Sequence, residues 1–93
     1  MIRSFRNAPA EAAWQRRFVK GVPNDIIKVA NRKLTQIHNA RSLDDLRAPP
    51  GNRLEMLSGD RKGLHSIRVN DQWRICFRWE DGDAYDVAIV DYH

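Results

Sequence analysis

The spacing of apolar positions changes once along the chain, from helical recurrence to alternation. Ile27, Ala30, Leu34 and Ile37 recur at i, i+3, i+7 and i+10, the stripe of a helix running over about residues 23–40. Lys28, Arg32 and Lys33 fall on or near its opposite side. Upstream, Ala8-Pro9-Ala10-Glu11 starts a shorter helix with Pro9 near its first position, and Ala12, Ala13, Trp14 and Phe18 make its apolar side. Gly21-Val22-Pro23-Asn24 separates the two helices. Before them, Ile2-Arg3-Ser4-Phe5 alternates and predicts a short strand. After them, residues 42–46 predict a turn or short helix, which Ala48-Pro49-Pro50-Gly51 stops.

Beyond this breaker the period is two. Residues 52–56 predict a strand and residues 58–63 a polar loop. His65, Ile67 and Val69 then share one face, with Ser66 and Arg68 on the other. Trp73, Ile75, Phe77 and Trp79 alternate with Arg74, Cys76 and Arg78. Asp81-Gly82 is a hairpin turn whose two central positions need positive φ, and a last strand follows over about residues 84–91. Two helices before a small, mainly antiparallel sheet predict the α+β class, with both helices on one sheet face.

Length and composition narrow this picture. The 93 residues make one domain, 1–93, with a single small core. The longest apolar runs are far shorter than a membrane span, and no signal-peptide pattern opens the chain, so a soluble cytoplasmic protein is expected. Cys76 is the lone cysteine, which excludes an intramolecular disulfide. It is expected to be a small buried or half-buried residue, since no His lies close in sequence to activate it. The three His lack metal-ligand spacing, so no metal is expected, and no phosphate-binding glycine loop points to a cofactor. His38 is expected only to favour its helix end.

Charge is unevenly placed. Residues 1–41 carry nine Lys/Arg and two acids, and residues 42–93 carry seven Lys/Arg and ten acids. The basic half suits either a polyanionic or acidic partner or a plain solvated helix face. Arg68, Arg74 and Arg78 are expected to point together from one sheet face, as planar donors for phosphate or as partners of acids such as Asp86. The sequence ends in Asp91-Tyr92-His93, which place a carboxylate, a phenol and an imidazole together. RNA cleavage without a metal needs such a set: a base for the 2′-hydroxyl, an acid for the 5′-oxygen, and cations around the phosphorane. The alternative is a polar chain end.

The order Pro50-Gly51-Asn52-Arg53-Leu54-Glu55, Leu57-Ser58-Gly59-Asp60-Arg61, His65-Ser66-Ile67-Arg68-Val69-Asn70, Gln72-Trp73-Arg74-Ile75-Cys76-Phe77 and Val90-Asp91-Tyr92-His93 resembles the HigB branch of the RelE-type bacterial toxins, and Met1-Ile2-Arg3-Ser4-Phe5 fits it too. The resemblance implies the RelE-like microbial RNase fold and the toxin half of a type II toxin–antitoxin pair. It implies an endoribonuclease that cuts mRNA in the 70S ribosome, without metal, through the RNA 2′-hydroxyl. It also implies a helix-turn-helix (HigA-like) antitoxin, which brings the toxin indirectly to operator DNA, and no membrane partner. By position, Arg74 matches the phosphate-contacting arginine, and Asp91, Tyr92 and His93 match catalytic residues. Arg68 and Arg78 join the phosphate set by alternation, and Lys28, Arg32 and Lys33 would meet ribosomal RNA. Glu55 stands where some members carry a histidine: either it acts as the base, with His93 or Tyr92 in the other role, or activity is weak and binding is retained. The alternatives are a non-catalytic RNA- or ribosome-binding module, and a toxin-like scaffold that completes a repressor with its antitoxin.

Overall fold

A computed structural model describes residues 1–57, 59 and 63–91. Helix α1 spans Ala8–Trp14 and α2 spans Asn24–Asn39. Two 3₁₀ turns, Leu43–Arg47 and Pro50–Asn52, lead into strands β1 (Glu55–Met56), β2 (Leu64–Arg68), β3 (Trp73–Glu80) and β4 (Asp83–Asp91). The four strands form an antiparallel meander in the order β1-β2-β3-β4. The helices pack on each other and on β4.

Local chemistry accounts for the helix ends. The Asn7 Oδ1 accepts from the Ala10 amide at 3.1 Å, capping α1, while its Nδ2 donates to the Ile89 carbonyl at 2.9 Å. One side chain therefore starts the helix and fixes it to β4. α1 stops at Trp14 because Arg16 turns left-handed at φ 59°, which carries Phe18 out to solvent instead of along the expected apolar side. In α2 the anticipated stripe of Ile27, Ala30, Leu34 and Ile37 is buried, together with Ile26. It meets Ile67, Ile75, Phe77, Val87 and Ile89 of the sheet in the core.

The Asp81-Gly82 turn has positive φ at both residues, as anticipated, and pairs Glu80 with Asp83. Two expectations need correction. Of residues 52–56 only Glu55 and Met56 form strand, because Pro50–Asn52 is a 3₁₀ turn and Arg53 adopts a left-handed backbone. Residues 2–5 form two isolated parallel bridges, Ile2 to Ala84 and Phe5 to Val87, rather than a full strand. His38 also does more than sit at a helix end. Its Nδ1 accepts from the Ile2 amide at 3.1 Å, and its ring lies 5.0 Å from that of Trp14.

Candidate active site

The helix-free face of the sheet carries a polar cavity of about 250 Å³, lined by Arg53, Glu55, Arg68, Asn70, Asp71 and Arg74. Strand register builds most of it. Arg68 and Arg74 are direct cross-strand partners, so their side chains share a face. The neighbouring row across three strands is Ser66, Cys76 and Ala88, all small and buried. Glu55 pairs with Ser66 at the end of that row.

Arg74 is the fixed point of the cavity. It is only 8% exposed, and its guanidinium is held on two edges. Nε donates to Ser66 Oγ at 2.9 Å, and Nη2 donates to the Arg53 carbonyl at 2.7 Å and to the Ser66 carbonyl at 3.4 Å. Glu55 Oε1 lies 3.9 Å from Nη2, and the Glu55 side chain is half exposed. Two arginines directly opposed across a sheet repel each other. Carboxylates offset this: Glu55 stands near Arg74, and Asp71 pairs with Arg68. The lining thus holds three guanidiniums against two carboxylates.

The wall carrying Arg53 is set by Asn52, which is fully buried. Its Nδ2 donates to Gln36 Oε1 and to the Leu46 and Ala48 carbonyls at 3.1–3.3 Å. Its Oδ1 accepts from Lys33 Nζ. Burial, reinforced by the charges of Arg32 and Arg68, pulls the Lys33 ammonium below its ordinary range. On the opposite wall, Asn70 Oδ1 accepts from the Gln72 and Trp73 amides at 2.9 and 2.8 Å, shaping the β2–β3 turn.

Several anticipated residues lie elsewhere. Arg78 does not join the cavity: it sits at the far end of β3, paired with Glu80 and Asp86 and stacked 4.7 Å over the Tyr85 ring. Of the three arginines expected to point together, one is buried, one lines the rim and one is tied up by acids. Asp91 pairs with Trp73 and so faces the helix side, where its Oδ2 accepts from Gln72 Nε2 at 3.1 Å. Tyr92 and His93 lie outside the described residues. The three α2 cations divide, Lys33 reaching Asn52 while Lys28 and Arg32 line a second concavity with Arg16 and Phe18. Arg53, Asn70, Asp71 and Asn52 were not anticipated. Asn70-Asp71 is a turn signature, but Arg53 owes its place to a left-handed backbone that no alternation reveals.

Solved bacterial proteins share this fold. YafQ from E. coli superimposes with a TM-score of 0.66 at 14% identity, covering 98% of this chain and 91% of that one. YoeB in the YoeB-YefM complex from Staphylococcus aureus gives 0.64 at 17% identity, covering 100% and 98%. Residues 4–93 match the family described as the RelE-like toxin of type II toxin-antitoxin system HigB, and the chain belongs to that family. Toxin HigB-1 of Vibrio cholerae serotype O1 is 49% identical over 68 residues, which is 73% of this chain and 72% of that protein. Endoribonuclease HigB of Proteus vulgaris is 34% identical over the full length of both. Family membership makes an antitoxin the expected partner. Among the described residues no helix is long and apolar enough to cross a membrane.

Proposed function

We propose that the protein is a cytoplasmic endoribonuclease that cuts mRNA held on the 70S ribosome, the toxin of a pair whose helix-turn-helix antitoxin carries it to operator DNA. The observation that carries this reading is the clamped, nearly buried Arg74 beside the half-exposed Glu55 carboxylate. A guanidinium fixed on two edges is preorganised for a phosphate and needs no reordering as charge develops. In the proposed reaction Glu55 takes the proton of the 2′-hydroxyl. The 2′-oxygen bonds to phosphorus, the bond to the 5′-oxygen breaks, and a 2′,3′-cyclic phosphate forms. Arg74 and Arg68 offset the charge of the phosphorane, while His93 or Tyr92 gives its proton to the departing 5′-oxygen. Asp91, on the other face, holds Gln72 and the β2–β3 turn and carries no proton in this scheme. Lys33 supports the cavity wall through Asn52 rather than meeting RNA directly. The relative named as an endoribonuclease supports the nuclease activity in this reading.

The test is cleavage of end-labelled mRNA on purified 70S ribosomes. The wild type should cut ribosome-bound message and leave free message intact. Glu55→Gln should cut about 10²-fold more slowly, with co-sedimentation on ribosomes preserved. Co-sedimentation of the wild type without any cleavage would favour the non-catalytic binding module.

A further inference from the structure

The second concavity is chemically unlike the first. It lies where the α1–α2 connection passes over α2, has a volume of about 330 Å³, and is lined by Arg16, Phe18, Ile27, Lys28, Asn31 and Arg32. Its floor is apolar, with Ile27 buried at the base and Phe18 more than half exposed at the side. Its walls are fixed. Asn31 Nδ2 donates to the Ala13 and Trp14 carbonyls at 2.9 and 3.4 Å, which ties α2 to the end of α1. The left-handed Arg16 then sets the path of the connection. No carboxylate lines the groove, and among the described residues no ion pair engages Arg16, Lys28 or Arg32.

We propose that this groove is the docking site of the antitoxin, through a segment that seats one large apolar side chain against Phe18 and Ile27 and sets carboxylates against Arg16, Lys28 and Arg32. The proposal rests on the protein being the toxin of a pair, which the family match carries; it does not rest on the nuclease chemistry. Charge complementarity selects an acidic partner, since three cations stand there with no acid of their own. The apolar floor selects a protein over RNA. Phosphates gain nothing from the buried Ile27, and the paired bases of an RNA helix are not splayed out to stack on Phe18. A protein interface places an aromatic or aliphatic anchor in a desolvated pocket, with arginines around it.

The variants Phe18→Asp and Arg16→Glu test this. Both alter exposed side chains outside the arginine cavity, so thermal midpoints should hold. The probe is the purified protein encoded by the gene adjoining the toxin's own, with binding measured by calorimetry. Each variant should bind it at least about 30-fold more weakly, as loss of an interface hot spot does. Arg16→Glu should also lower the salt dependence, while Glu55→Gln binds as the wild type. In cells, Phe18→Asp toxin should arrest growth even when that partner is co-expressed. Wild-type affinity and full rescue in both variants would overturn the proposal. So would unchanged partner affinity with ribosome association lost, which would assign the groove to RNA. Calorimetry does not depend on cleavage, so a failed nuclease reading would show separately.

Discussion

The two concavities are both rimmed by cations, yet they are built in opposite ways. In the sheet cavity two of the three guanidiniums are held in place: Arg74 by Ser66 and the Arg53 carbonyl, with Glu55 nearby, and Arg68 by Asp71. In the helix groove the cations stand over an apolar floor with no ion pair among the described residues. A preorganised site holds its donors in place before the ligand arrives, so that charge developing in a transition state meets fixed dipoles. A docking site can leave its charges unpaired, because the partner supplies the counterions and covers the apolar floor. A simple count of positive charge would rank the two together; their pairing separates them.

Substitutions at three positions challenge that contrast. The largest effect is expected at Arg74. Arg74→Ala should lower single-turnover cleavage on programmed ribosomes by about 10²–10³-fold, as loss of one preorganised donor typically does. Arg74→Lys should recover little, because a point charge cannot span Ser66 and the Arg53 carbonyl as a fork does. Wild-type cleavage by either variant would break the contrast. Next comes Asn52→Ala, which leaves Lys33 and two buried carbonyls without their partner. It should lower unfolding free energy in urea by about 1–3 kcal/mol. Cleavage should slow less than in Arg74→Ala, since the Arg53 carbonyl shifts but the guanidinium remains. The smallest effect belongs to Arg78→Ala. Its acids lie at the surface, so stability should change by about 0.5 kcal/mol or less and cleavage should be unaffected. A large loss of cleavage there would place Arg78 in the RNA path after all.

Much of this architecture was legible from periodicity. The stripe from Ile27 to Ile37 marked α2, and the alternation through Trp73, Ile75 and Phe77 marked β3, because one apolar face must be buried in each case. The Asp81-Gly82 turn was legible because few residue pairs accept two positive φ angles. In the site, alternation correctly paired Arg68 with Arg74, and the family resemblance pointed to Glu55. What stayed hidden depends on tertiary partners. Arg74 was expected to reach solvent, but the Arg53 carbonyl, 21 residues away in sequence, turns it inward. Arg78 has the same parity as Arg74, yet four residues of strand carry it away from the cavity and towards Glu80 and Asp86. Asp91 faces the helix side because register places it opposite Trp73, and register between distant strands is set by packing rather than by local sequence.

The short parallel bridges from residues 2–5 to β4 bear on aggregation. β4 is the outermost strand of the meander on that side, and an open strand edge is a template for another chain. Here Arg3 and Arg6 donate their amides to Ala84 and Val87, whose own amides are taken by Met1 and Ser4. The cover comes from about 80 residues away in sequence, so it arrives by closing a very long loop, a slow kind of contact to form. Until it docks, the sheet carries a bare, partly apolar margin. Partly folded chains are therefore most prone to self-association through β4, and the charged pairing of Arg3 with Asp83 helps seal that margin once the segment arrives.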